Sequence, residues 1–341
     1  MRKFIIFITL LFITAGLCSC GNSSSPQKST RVFYEYFDTV TEITAFGETD
    51  EEFDRITDEI ENILKEYHRL VDIYNEYSGT NNLCTVNKKA GKEAVKVSGA
   101  LLDLGEYGIT AYGITKGKTN IALGAVTRLW HDAREDGAAL PAENELKEAA
   151  KHCNIEDIVI DREKGTLFLR DEKMSLDMGA LAKGYACEKA AEYLEENGKT
   201  GYALNLGGNL RVTGKKPGGE FWTAGIQNPD LLSDQAYINV VYLKLPALVT
   251  SGSYMRYFTV EGKTYHHIID PDTLYPKNDF KSVSVLCGNS ALADVLSTAL
   301  FNMSLEEGKA LISSMENVYV LWVDKDGKVH YSEGFEEYIK E

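Results

Sequence analysis

The strand signals of this chain are bunched, and that feature most restricts what it can fold into. Seven β-rich runs fall at 202–206, 221–227, 237–244, 247–250, 254–260, 264–269 and 282–287. A doubly wound sheet alternates strands with helices at regular intervals, and this placement is too irregular for one. Helical periods lie to either side. Residues 50–71 set Phe53, Ile56, Ile60, Ile63, Leu64, Tyr67 and Leu70 on one face and acidic residues on the other. That is an amphipathic helix with a solvated acidic side. Further helices are expected at 98–112, 143–152, 180–197, 291–303 and 305–314. Gly198 stops the one at 180–197. One or two strands are expected in 32–47, two around the turn at 163–165, and a final hairpin around Asp326-Gly327. There is no internal repeat and no second linker, so the chain reads as α+β, a single mixed α/β domain over 32–341.

What precedes that domain is of another kind. Arg2 and Lys3 lead an uncharged run from 4 to 17, of signal-peptide length and too short to span a bilayer. Leu17-Cys18-Ser19-Cys20-Gly21 resembles a bacterial lipobox, with Cys20 as the lipidated residue. The expected organisation is therefore a lipoprotein signal over 1–19, then a lipidated Cys and flexible polar tether over 20–31. Two or more acyl chains on Cys20 would anchor the protein to the cell membrane on its extracytoplasmic side. The other thiols, Cys84, Cys153, Cys187 and Cys287, show no CxxC spacing, so no zinc or redox motif is present.

Charge narrows the ligands. Lys plus Arg total 36 against 51 Asp plus Glu, a formal −15. Loss of Arg2 and Lys3 with the signal makes the mature chain −17. Such a chain repels phosphate backbones, so no nucleic-acid partner is expected. A phosphate-bearing small molecule is still admitted if a metal or a nest of backbone amides offsets the charge.

Several familiar motifs fail. Gly113-Ile114-Thr115-Lys116-Gly117-Lys118-Thr119 mimics a phosphate loop but has three residues between the glycines where four are needed. No strand-borne GxGxxG, HExxH or GxSxG is present. Ser251-Gly252-Ser253 lacks the strand-to-helix elbow of a nucleophile and reads as a ligand-binding turn.

Four blocks join small residues to polar ones where regular elements end. In Asp177-Met178-Gly179-Ala180-Leu181-Ala182-Lys183-Gly184, a strand at 174–176 runs into a helix, Asp177 takes the N-cap place, and Lys183 is within reach of a phosphate. Asn205-Leu206-Gly207-Gly208-Asn209 permits close backbone approach or simply a tight turn. Thr250-Ser251-Gly252-Ser253-Tyr254 precedes His266-His267-Ile268-Ile269-Asp270-Pro271. Adjacent strand residues face opposite ways, so at most one histidine faces a site, and His267 is nearer the Asp-Pro turn. Asp294 and Thr298 are i and i+4 on one helix face, hard oxygen donors suited to Mg²⁺. Spacing alone equally suits an Asp placed on a helix dipole.

Together and in this order, the blocks resemble the ApbE family of FAD:protein FMN transferases, over roughly 32–335. The resemblance implies an enzyme, a transferase that cleaves FAD with Mg²⁺. It attaches FMN through a phosphoester to a Thr or Ser of an acceptor flavoprotein and releases AMP. It implies His267 as the catalytic histidine. Asp294, Thr298 and the backbone oxygen of Ala180 are implied as metal ligands. Val40, Tyr74, Lys118, Thr119, Asn120, Asp177, Lys183 and Ile269 are implied as FAD contacts. Three positions depart from the family pattern: Asn120 for Asp, Ala125 for Pro, and Leu274 for Gly. Family acceptors resemble Asp/Ser-Gly-Ala-Thr/Ser-x-Thr. Asp136-Gly137-Ala138 here runs into Ala139-Leu140 with no hydroxyl, so the acceptor is another protein, such as a redox-complex subunit or an electron-transfer lipoprotein. The alternatives are a Mg²⁺-dependent FAD pyrophosphatase and a non-catalytic flavin-binding lipoprotein.

Overall fold

The computed structural model describes residues 26–137 and 139–341. The signal over 1–19 and the lipidation site Cys20 lie outside the described residues. The chain begins with β1 (Lys28–Phe33) and β2 (Thr41–Phe46), then the amphipathic α1 (Asp50–Val71). Thr49 caps α1 by accepting the Glu52 N–H, with Asp50, Glu51 and Glu52 in the first turn and His68 and Arg69 in the last. Charges of those signs at those ends complement the helix dipole. β1 corrects the tether boundary, since residues 28–31 pair with β2 and so belong to the folded domain.

Next come α2 (Leu83–Lys88), β3 (Val95–Lys96), α3 (Gly99–Ile114), α4 (Gly124–Asp136), α5 (Glu143–Ala150), β4 (Ile158–Asp161) and β5 (Thr166–Leu169). β3, β5 and β4 form a small antiparallel sheet. Neither α2 nor α4 is expected from the sequence reading above. α6 (Ala182–Glu196) starts two residues later than the sequence suggests. The expected strand at 174–176 is only an isolated bridge between Ser175 and Leu123.

The bunched strands then follow: β6 (Tyr202–Leu206), β7 (Asn209–Thr213), β8 (Thr223–Gln227), β9 (Tyr237–Tyr242), β10 (Ala247–Gly252), β11 (Tyr257–Val260), β12 (Lys263–His266) and β13 (Phe280–Cys287). The chain ends with α7 (Ser290–Phe301), α8 (Leu305–Ile312), β14 (Tyr319–Asp324) and β15 (Val329–Tyr331). Eight strands make the main sheet in the order β1-β2-β6-β7-β10-β13-β14-β15, antiparallel throughout. An all-antiparallel sheet needs no crossover helices, which is why the strand runs could bunch.

The sheet is covered on both faces. α6 and α7 pack on one face against β7, β10 and β13, with α1 outside α6. On the other face, Trp222, Ile226 and Val241 of the β8–β9 hairpin join Leu248, Leu286, Leu321 and Phe335 in a second core. β13 is therefore buried along nearly its whole length, as a strand covered on both sides must be. The domain is α+β. Among the described residues no helix is long and apolar enough to cross a membrane, and the four cysteines described are unpaired.

Candidate active site

The site grows from the contact of α6 with α7. A Cβ placed on Gly184 would stand 2.4 Å from the Asp294 Cβ and 2.5 Å from the Ser290 carbonyl oxygen, so only glycine allows this approach. The Gly184 N–H, a first-turn amide of α6 with no acceptor in its own helix, donates to Asp294 Oδ2 at 2.7 Å. The carbonyl four residues back, that of Ala180, lies before the helix begins. That carbonyl accepts no hydrogen bond from the described residues. The Thr298 hydroxyl lacks its common helical partner. A helical Thr commonly bonds the carbonyl of residue i−4, here Asp294, but the Ser297 hydroxyl takes that oxygen at 3.0 Å. The Thr298 hydroxyl and Asp294 Oδ1 have no partner among the described residues.

Asp294 is 3% exposed and has no ion pair within 4 Å among the described residues. Burial raises its pKa, while Lys183 and the Gly184 N–H oppose that shift. A buried carboxylate with one amide donor, beside a free carbonyl and a free hydroxyl, matches the hard oxygen chemistry of a divalent cation. The described residues contain no cluster of three or more His, Cys, Asp or Glu that could hold a metal, so any cation site among them has at most two such side chains.

Asp177 is not the N-cap of α6, a correction to the sequence reading. Leu181 occupies that place, with no side-chain cap. The Asp177 carboxylate instead accepts the Gly179 N–H at 2.8 Å and the Thr127 hydroxyl of α4 at 2.7 Å. This Asx turn holds the 178–181 backbone where the Ala180 oxygen is needed. Tyr74 is 49% exposed and its ring lies 4.9 Å from that of His131 on α4. Burial, then the nearby Asp177 carboxylate, raise the Tyr74 pKa to about 12, so its hydroxyl stays protonated at neutral pH.

The 118–120 stretch behaves differently from a row of free ligand-binding side chains. Lys118 lies between Asp270 and Asp272 at 2.8 Å from each, so its charge is already matched. Thr119 is buried and donates to the Val295 carbonyl at 3.0 Å, tying the loop to the residue after Asp294. Asn120 donates to the Cys153 carbonyl and accepts the Ala122 N–H. These bonds hold the loop in shape. Ile269 is buried and its carbonyl accepts from Asn302.

The two adjacent histidines divide as expected. His266 is 2% exposed, and its ring bonds the Lys277 carbonyl through Nε2 and the Ile268 N–H through Nδ1. It has no nitrogen left for chemistry. His267 keeps a face open to solvent although protein packs around most of the ring. That crowding, then the Arg256 guanidinium and more weakly the Lys183 ammonium, holds its pKa below the usual imidazole value. The open face limits the shift, and the ring is neutral at pH 7. Val40 is exposed, and its carbonyl accepts the Gly207 N–H at 3.1 Å. Gly207, at φ +56°, lies against Thr39, where a Cβ would overlap the Thr39 hydroxyl. Ser251 is not in a turn; it lies in β10, one residue before its end, and its hydroxyl meets that of Ser297 at 2.8 Å.

Lys183 is thus the group that senses both Asp294 and His267. Thr127, His131 and Arg256 were not singled out from the sequence. The apolar positions Val126 and Trp130, four apart and both buried, were the available signal for α4. Two family departures have local explanations. Ala125 is the second residue of α4, where the N–H has no intrahelical acceptor, so Pro and Ala serve alike. Leu274 sits at φ +64°, a conformation that favours glycine, while its carbonyl accepts the Trp130 indole N–H at 2.8 Å.

Unpaired oxygens, an ammonium whose charge reaches them and a neutral imidazole are the equipment of an enzyme that works on a phosphorylated substrate. The profile of the ApbE family matches residues 37–322, and the chain belongs to that family. A FAD:protein FMN transferase of Treponema pallidum is 29% identical over 97% of this chain and 94% of its own length. One from Haemophilus influenzae is 30% identical over 93% and 91%. The crystal structure of an ApbE protein from Thermotoga maritima superposes with a TM-score of 0.82, at 26% identity, covering 92% of this chain and all of that one. The flavin transferase ApbE from Vibrio cholerae gives 0.77, at 26% identity, covering 92% and 99%.

Proposed function

We infer that this chain is a FAD:protein FMN transferase. Relatives of that name match it along nearly its whole length. The observation at the site that carries the reading is the buried Asp294, tied to α6 by the Gly184 N–H, with its Oδ1, the Thr298 hydroxyl and the Ala180 carbonyl left without partners among the described residues. Asp294 Oδ1, the Thr298 hydroxyl and the Ala180 carbonyl would hold Mg²⁺. Bound there, the ion supplies Lewis-acid neutralisation of the pyrophosphate of FAD.

The remaining steps belong to the chain's own groups. Lys183 offsets phosphate charge beside Asp294. His267 takes the proton from a Thr or Ser hydroxyl of the acceptor protein as that oxygen attacks the phosphorus on the FMN side. The new P–O bond makes the phosphoester, the bond to the AMP phosphate breaks, and AMP leaves. Tyr74 and Val40 offer an aromatic and an apolar wall for the ring system, and Asp177 holds the turn beneath the phosphates. The lipobox-like segment at Cys20 supports anchoring on the extracytoplasmic side of the cell membrane, periplasmic or outer face, where the acceptor would be a redox subunit or electron-transfer lipoprotein.

The test is incubation with FAD, Mg²⁺ and a protein carrying the acceptor segment, read by in-gel flavin fluorescence and AMP release. Asp294→Ala should abolish the fluorescent band. AMP and free FMN without acceptor labelling would instead make the protein a pyrophosphatase. Stable flavin binding with no AMP would make it a carrier.

A further inference from the structure

Arg256 lies immediately before β11 and His267 immediately after β12, so the two face each other across the open end of that hairpin. The Arg256 carbonyl accepts the His267 backbone N–H at 3.2 Å and meets His267 Nδ1 at 3.2 Å. A carbonyl can only accept, so Nδ1 carries the proton and, in a neutral ring, Nε2 carries the lone pair. His266 has the reverse arrangement, with Nε2 on the Lys277 carbonyl and Nδ1 accepting from Ile268.

The Arg256 side chain runs the other way. It donates to the Asp38 carbonyl at 2.8 Å and to the Phe37 carbonyl at 3.4 Å. Phe37 and Asp38 have φ of +56° and +50°, both left-handed without being glycine. That backbone region is unfavourable for a residue with a side chain, so the turn needs outside support. Arg256 gives it from one side. His68 of α1 gives it from the other, its Nδ1 accepting the Phe37 N–H at 3.2 Å. Two residues past Asp38 stands Val40.

We propose that Arg256 is a positioning residue for the transfer. Its guanidinium braces the hairpin against the strained 37–38 turn, and its carbonyl thereby holds His267 as the Nδ1–H tautomer with Nε2 facing the acceptor hydroxyl. This rests on the reading of His267 as the base. The charged and titratable groups acting on His267 are Arg256, Lys183 from α6 and the neighbouring His266.

The test uses the full chain with ¹⁵N-labelled histidine, the His267 signals being identified by their loss in His267→Gln. Long-range ¹H–¹⁵N spectra should show His267 protonated at Nδ1 and His266 at Nε2. An Nε2–H tautomer at His267 overturns the proposal. In the transfer assay, Arg256→Ala should lower kcat about 10- to 100-fold, the scale of a 1 Å misplacement, with KM for FAD within about threefold. It should also move the acid limb of the pH profile upward, because a cation beside the ring is gone. Arg256→Lys keeps the charge, but its side chain ends one bond short of the Nη2 that meets both carbonyls. It should lower kcat while leaving the acid limb in place. Unchanged kcat and unchanged limb in both variants overturn the proposal. If wild type transfers no FMN, the reading of the function falls, while the tautomer spectrum still decides the claim about Arg256.

Discussion

Replacing Gly184 by Ala sets two effects of opposite sign against each other. In an open helix Gly→Ala is stabilising by up to about 1 kcal/mol. At Gly184 the added methyl would meet the Asp294 Cβ at 2.4 Å and the Ser290 oxygen at 2.5 Å, neither of them the tip of a flexible side chain. Carbon atoms rest about 3.5–4.0 Å apart, so α6 and α7 must separate by roughly 1 Å. Overpacking of this kind costs about 1–3 kcal/mol, which outweighs the propensity gain. The functional effect should be larger than the loss of stability. Mg²⁺ demands near-ideal geometry at about 2.0–2.1 Å, and a 1 Å shift takes the Ala180 oxygen away from Asp294 and Thr298. We expect a lower urea midpoint and at least a tenfold weaker Mg²⁺ requirement curve for AMP release from FAD. Gly113→Ala is the control, because that glycine lies in α3 with nothing within 4 Å of the new methyl. It should be neutral or slightly stabilising. A Gly184→Ala protein as stable as the control and with unchanged Mg²⁺ dependence would refute the close-approach argument.

Other variants test separate parts. Asp294→Asn should abolish labelling, yet without metal it should match or exceed wild-type stability at pH 8, where the buried carboxyl with its raised pKa is forced to ionise. Glu188→Gln breaks the buried pair with Arg211 and weakens the bond Glu188 accepts from the Ser290 N–H at the start of α7. Glu195 still faces Arg211 at 2.9 Å, so a loss of about 3 kcal/mol, the low end for such pairs, is expected in denaturant melts. His267 has a folded-state pKa below its unfolded value, so its contribution to stability is present above about pH 6.5 and is lost as pH falls. His267→Gln should therefore lose less stability than wild type between pH 7 and pH 5. Cys20→Ser should shift the protein from the membrane to the soluble fraction; retention in the membrane would refute lipid anchoring at that residue.

Local rules settled much of this protein before any coordinates. The 3.6-residue period of Phe53, Ile56, Ile60, Leu64 and Tyr67 is a property of α1 alone, and the structure buries those residues. The glycine pair at 207–208 makes the tight β6–β7 turn because the chain needs positive φ there. Asp294 with Thr298 is an i, i+4 statement that holds on any helix. What local rules could not supply is which groups lose their ordinary partners. That Gly184 gives its N–H to Asp294, that Lys118 is matched by Asp270 and Asp272, and that Asp177 serves Thr127 rather than a helix cap are decided by residues 50 to 154 positions apart. α4 was overlooked for a similar reason: its Trp130 is held by an aromatic cluster with Phe258, Tyr265 and Tyr275, contributed by the β11–β12 hairpin and the turn after it. A sequence displays donors and acceptors. Only packing decides which are consumed by the fold and which are left free for a ligand.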